Sequence, residues 1–131
     1  MRLLLDTHIW LWSRRDPARL TRRVARALEN PTNELWLSPL SVWELMLLAE
    51  KGRIPMSIPA DEWVVRALER VPLKEAPVTF QVALATRHID LPHRDPVDLI
   101  LAATARVFDL TLVTADEHLL AGSGFPVLAN R

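Results

Sequence analysis

Arg2-Leu3-Leu4-Leu5-Asp6-Thr7-His8 decides how the rest of the chain is read, because three consecutive leucines stop at a carboxylate. A short apolar run without alternation is the pattern of a strand buried on both faces, as in the middle of a parallel sheet. Sheets of that kind keep their chemistry just beyond the carboxyl ends of their strands, where loops and helix N-termini converge. Asp6 stands at that end. An acid there is costly unless something positive meets it, so Asp6 either caps a helix beginning at Thr7 or belongs to a site completed by other parts of the chain.

Outward from that strand, apolar runs and helical patterns alternate. Thr7 to Arg14 reads as a short helix, and Asp16-Pro17 supplies an N-cap and a first-turn proline for a second one. In that second helix Leu20, Val24, Ala27 and Leu28 follow helical spacing, while Arg19, Arg22, Arg23 and Arg26 fall on the opposite flank. Leu35-Trp36-Leu37 reads as a strand, and Ser38-Pro39 opens a helix that stops at Gly52. Pro59-Ala60-Asp61-Glu62-Trp63 opens another, with acids where the helix dipole favours them. Val71-Pro72-Leu73 reads as a small edge strand and Val78 to Arg87 as a helix. Asp95-Pro96 starts a long helix to Asp109, Leu110 to Val113 is a strand, Glu117 to Leu120 a short helix, and Pro126-Val127-Leu128 a last strand. Such alternation predicts an α/β fold with a mainly parallel sheet, right-handed crossovers and helices on both faces.

A chain of 131 residues, half of them hydrophobic and a quarter charged, fits one domain spanning 1–131. Sixteen basic and sixteen acidic side chains cancel, so net charge selects no partner. The distribution says more: Arg14, Arg15, Arg19, Arg22, Arg23 and Arg26 share a stretch whose one acid is Asp16. With no cysteine, disulfides and thiolate metal sites are excluded and a reducing compartment is the expected home. The run before Asp6 is too short for a signal-peptide core, and no run approaches the length of a membrane span. A cytoplasmic protein without a membrane partner is expected.

Most acids have ordinary explanations at helix ends or on exposed faces. Four do not. Asp6 and Asp116 each follow an apolar strand, and Glu44 and Asp98 lie in the first turns of the helices opened by Ser38-Pro39 and Asp95-Pro96. In a parallel sheet, strand C-termini and the N-termini of the following helices share one edge, so these four carboxylates can converge. Such a cluster raises its own pKa values unless a cation enters it, and oxygen donors without thiolate or clustered imidazole select Mg²⁺ or Mn²⁺. Each acid also has a local explanation: Ser41-x-x-Glu44 and Thr114-x-x-Glu117 match the capping box, and Asp98 stands three residues after Asp95, which is assigned mainly to capping. His8 and His93 read as structural, and Trp10, Trp12, Trp43 and Trp63 as core or dimer packing. The aliphatic helix from Leu40 to Ala49 suits an interface with a partner's helix.

Leu-Leu-Leu-Asp6-Thr7, Ser41-Val-Trp-Glu44, Asp98-Leu-Ile-Leu-Ala-Ala-Thr-Ala and Leu-Val-Thr114-Ala-Asp116, in that order across nearly the whole chain, resemble the signature of PIN-domain nucleases. They are most similar to the small VapC-type toxins of toxin-antitoxin pairs. His93-Arg94-Asp95-Pro96-Val97-Asp98 resembles a subgroup with a His-x-Asp-Pro turn, although Leu99 stands where that subgroup often has a basic residue. The resemblance implies a three-layer α/β/α sandwich and a metal-dependent endoribonuclease. It also implies a homodimer silenced by a cognate antitoxin, in some cases within a higher assembly. Carried over by position, Asp6, Glu44, Asp98 and Asp116 would hold one or two Mg²⁺ or Mn²⁺ ions and carry the catalysis. Thr114, with Thr7 and Asp95, would steady them from behind. RNA phosphates need positive charge, for which Arg14, Arg15, Arg19, Arg22, Arg23, Arg26 and Arg94 are the candidates.

Other readings share the first strand. Haloacid dehalogenase-like phosphatases want a second aspartate two residues after the first, where His8 stands. A receiver domain wants a lysine beyond a late strand, and the only lysines are Lys51 and Lys74. A PIN-fold nuclease outside a toxin pair, working in RNA processing or on DNA, has the same acids. A non-catalytic regulatory module keeps the fold and uses the acids as caps.

Overall fold

The computed structural model describes residues 1–131. The leucine run forms β1 (Arg2–Leu5), followed by α1 (Thr7–Arg15), a 3-10 turn at Pro17–Arg19 and α2 (Arg22–Glu29). Next come β2 (Glu34–Leu37), α3 (Pro39–Glu50), α4 (Ala60–Arg70), β3 (Lys74–Glu75) and α5 (Phe80–Ala85), which ends in a 3-10 turn at Thr86–His88. The chain finishes with α6 (Pro96–Phe108), β4 (Thr111–Thr114), α7 (Glu117–Leu120) and β5 (Val127–Ala129). The strands lie in the order β3-β2-β1-β4-β5, and every neighbouring pair is parallel.

β1 is therefore central, and its side chains alternate between two apolar layers. Leu3 and Leu5 pack with Ile9, Trp10, Val24, Leu45 and Val64 on the α1 to α4 side. Leu4 packs with Val82, Ala102, Ala103 and Leu119 on the α5 to α7 side. The result is the expected α/β/α sandwich. No helix is long and apolar enough to cross a membrane.

Three local expectations are corrected. Asp16-Pro17 starts only a 3-10 turn, and the Asp16 side chain caps nothing. The helix waits for Thr21, whose Oγ1 accepts from the Val24 N–H at 3.3 Å. The edge strand is not Val71-Pro72-Leu73 but the polar pair Lys74–Glu75, in register with Trp36 and Leu37; Pro72 has no N–H to give a ladder. Within Val78 to Arg87 the α-helix is confined to Phe80–Ala85 behind the cap Thr79, and its apolar Phe80 and Leu84 are 91% and 71% exposed. Among the tryptophans, Trp10 is buried with Trp63 edge-on to it at 5.5 Å, while Trp43 is 51% exposed.

The strand order sets the position of a site. From β1 the chain moves outward to β2 and β3, then returns to the other side of β1 for β4 and β5. The direction reverses between β1 and β4, and a crevice opens at such a switch point beyond the strands' carboxyl ends. Asp6 follows β1 there, and Asp116 lies two residues beyond β4.

Candidate active site

Asp6 is 8% exposed, and both of its carboxylate oxygens are engaged. Oδ1 accepts from the Thr7 N–H at 2.8 Å, and Oδ2 accepts from the Thr114 hydroxyl at 2.7 Å. Capping and a wider role thus fall on different oxygens of one group. The Asp6 N–H donates to the Val113 carbonyl at 3.0 Å, so the β1 to β4 pairing delivers its carboxylate beside Thr114. Burial pushes its pKa above the usual carboxylate range, and hydrogen bonds from Thr114 and Thr7 hold the rise back, while the Glu44 charge adds to it.

Asp116 is held at the N-terminus of α7, where its Oδ1 accepts from the His118 N–H at 2.8 Å. Its own N–H donates to Thr114 Oγ1 at 3.0 Å, so one hydroxyl bridges two of the acids. The capping box Thr114-x-x-Glu117 does not form, because Asp116 itself is the cap.

Nor does Ser41 cap α3. Ser38 does so, accepting from the Leu40 N–H at 3.1 Å, and Ser41 Oγ is buried without a partner. Glu44 therefore has no capping duty. Asp95 does cap α6, taking the Val97 and Asp98 amides at 2.9 and 3.1 Å, and this frees the Asp98 carboxylate from that task.

Asp98 reports on the whole cluster. Its pKa is raised to about 7, first by burial and then by the negative charges of Asp95, Asp116, Asp6 and Glu44. Acids from separate chain segments are thus close enough to Asp98 for their charges to act on it, and the only basic groups beside them are imidazoles, His8 near Asp6 and His118 at Asp116. Neither Glu44 nor Asp98 has an ion-pair partner, the molecule's only pairs being Arg2–Glu34, Arg66–Glu62, Lys74–Glu34 and His118–Asp116. No three carboxylate or imidazole groups lie at metal-ligand spacing. The donor set fits a hard divalent ion: all oxygen, no thiolate, with Asp6 and Asp116 held by hydrogen bonds while the Glu44 and Asp98 carboxylates have no protein partner. Thr7 Oγ1, beside Asp6, is buried without a partner and leaves further oxygen capacity there.

The arginines are not gathered with the acids. Arg14 lines cavities beside Trp10 and Trp63. The Arg15 guanidinium reaches Met56 Sδ at 3.8 Å, and that of Arg19 lies 4.3 Å over the Trp12 ring. Arg22, Arg23 and Arg26 share a groove along α2. Arg94 is exposed on the loop into α6.

Two residues escaped the sequence reading. His118 Nδ1 lies 3.8 Å from Asp116 Oδ1, and its ring meets that of His93 edge-on at 4.2 Å. Asn130 is buried, donates its N–H to the Thr114 carbonyl, accepts from the Thr21 N–H and gives its side-chain amide to the Arg19 carbonyl. Neither sits in a pattern of apolar spacing that would single it out.

Residues 3–122 match the PIN domain family. The chain belongs to that family. This PIN domain is 33% identical over 120 residues to Ribonuclease VapC22 of Mycobacterium tuberculosis, covering 89% of the present chain and 88% of the relative. Its fold resembles that in the VapBC2 complex of Rickettsia felis bound to a promoter DNA fragment (TM-score 0.73, 14% identity, 98% of each chain). It also resembles the DNA-bound VapBC of Salmonella typhimurium (TM-score 0.70, 18% identity, 98% of each chain).

Proposed function

We propose that residues 1–131 form one PIN-type nuclease domain, a divalent-metal-dependent endoribonuclease that hydrolyses RNA phosphodiester bonds. It acts in the cytoplasm as the toxin of a toxin-antitoxin pair, as a homodimer restrained by a cognate antitoxin protein. The observation that carries this reading is the Asp98 carboxyl, half-buried among Asp6, Glu44, Asp95 and Asp116, with no lysine or arginine paired to any of them. The name and identity of the mycobacterial relative support ribonuclease chemistry, and the VapBC complexes of the same fold support the antitoxin.

Asp6, Glu44, Asp98 and Asp116 would hold Mg²⁺ or Mn²⁺, which when bound lowers the pKa of a water and offsets charge developing on a phosphate. The protein's own contribution is orientation. Thr114 fixes Asp6 and Asp116 together, Thr7 holds the other Asp6 oxygen, and Asp95 anchors the first turn that carries Asp98. Glu44 and Asp98 accept no protein hydrogen bond and keep their oxygens for the ligand. A regulatory module with acids serving only as caps is disfavoured by those two residues, which cap nothing.

Calorimetric titration with Mn²⁺ together with an RNA-cleavage assay tests the proposal. Saturable binding and metal-dependent cleavage are expected, with both falling in Asp6→Asn and Asp116→Asn by more than the roughly 10–100-fold typical of losing an outer hydrogen bond. Binding and cleavage that survive either substitution overturn it. Expression of the chain is expected to arrest growth unless a cognate antitoxin protein is made with it.

A further inference from the structure

Arg22, Arg23 and Arg26, with Asn30, Asn33 and Leu128, line one open groove of about 710 Å³. No acid lines it. None of the three guanidiniums takes part in any of the molecule's ion pairs, and Glu29, the acid of α2, faces a different cavity beside Leu5 and Trp10. Arg22 and Arg26 stand one turn apart and repel each other, so the stripe is an uncompensated positive surface. The comparable cluster of Arg14, Arg66 and Arg70 differs, because Arg66 is already committed to Glu62 at 2.6 Å.

The groove also has a direction. Asn130 ties Thr21, the cap of α2, to the Thr114 carbonyl at the carboxyl edge of the sheet. The eight residues of α2 then descend about 12 Å to Asn30 and Asn33, beside the amino end of β1. The arginine track therefore begins near the acid cluster and leads away from it. No aromatic side chain lines it, so it suits phosphates rather than stacked bases.

Resting on the ribonuclease reading, we propose that this groove is a second RNA-binding site that tracks the phosphate backbone of a substrate extending well beyond the bond that is cut. The guanidiniums supply affinity by displacing counterions from the backbone, without reading sequence. Cleavage of long RNA then depends on the groove, whereas cleavage of a fragment that occupies only the acid edge does not.

The test measures binding of a labelled hairpin RNA and a hexanucleotide to the full chain in EDTA across a salt series, followed by Mg²⁺-dependent cleavage of both. The triple variant Arg22→Gln, Arg23→Gln, Arg26→Gln is expected to bind the hairpin about 10–100-fold more weakly at low salt. The slope of log K against log salt is expected to become shallower by about 2, at roughly 0.7–0.9 per lost phosphate contact. Hexanucleotide cleavage stays unchanged and hairpin KM rises with kcat retained. The triple lysine variant keeps most of the slope, which separates charge from folding. Unchanged hairpin affinity and slope, an equal loss on the hexanucleotide, or polyglutamate displacing the hairpin through the same arginines at lower concentration than RNA competitor overturns the proposal. The last outcome assigns the groove to an acidic protein. If the hairpin binds with the arginine-dependent slope but neither RNA is cut, the ribonuclease reading fails while the groove stands as an RNA site.

Discussion

Thr114 serves two acids through one hydroxyl, donating to Asp6 Oδ2 and accepting from the Asp116 amide. Valine has nearly the same shape and neither capacity, so Thr114→Val leaves a buried carboxylate oxygen and a backbone N–H without partners. The expected cost is about 1–3 kcal/mol in urea unfolding, together with a loss of about 10–100-fold in Mn²⁺ affinity through disorder of Asp6 and Asp116. Thr114→Ser should recover most of both. Affinity retained in the valine variant would mean that the hydroxyl does not orient the cluster. The role of Thr114 was legible through the resemblance to PIN-domain nucleases, whose Thr-x-Asp motif it matches with Asp116. Glu44 was harder, since Ser41-x-x-Glu44 imitates a capping box, and only the capping of α3 by Ser38 shows that Glu44 has no such task.

At the level of elements, the apolar runs were sufficient wherever burial decides the structure. β1 stands where the leucine run puts it, because a strand covered on both faces has no polar position to disguise it, while β2 and β4 overlap their apolar runs with ends shifted by one residue. The reading failed where one side chain chooses between two starts. Asp16-Pro17 carries the stronger motif, yet Thr21 begins α2, and the reason is more than a hundred residues away: buried Asn130 takes the Thr21 N–H and holds the Arg19 carbonyl. No local pattern encodes that strut. Asn130→Ala leaves both backbone groups unpaired, so amide exchange in α2, at Ala25 and Arg26, should accelerate while β1 amides keep their protection. Equal acceleration in both elements would mean that the substitution acts globally instead of releasing one helix. β3 was displaced for a related reason: a two-residue, solvent-exposed edge strand of Lys74 and Glu75 carries no apolar signal, and its existence depends on pairing with β2.

For the molecule as a whole, folding brings the charges of Asp95, Asp116, Asp6 and Glu44 to bear on Asp98, and in the proposed reading a divalent ion would neutralise them. The Asp98 carboxyl moves from its ordinary value of 3.8 to about 7 in the native state. Between those values the folded protein holds a proton that the unfolded chain has released. The contribution of this group to the stability of the metal-free protein is accordingly largest at the acid end of that window, is lost as pH rises through it, and levels off above about 7. Asp6, raised by burial, acts in the same direction. A divalent ion competes with these protons, so its stabilisation should be small at the acid end of the window and large above it, with proton release on binding. Asp98→Asn removes the charge without removing volume. It should raise the melting temperature of the metal-free protein above pH 7, flatten its pH dependence, and abolish both the Mn²⁺-induced shift and cleavage. Melting curves of the two proteins at acid and alkaline pH, with Mn²⁺ and with EDTA, decide the matter. An asparagine variant that melts lower than the wild type in EDTA above pH 7 would mean that the Asp98 charge is already balanced within the fold, and the case for a cation-seeking pocket would fall with it.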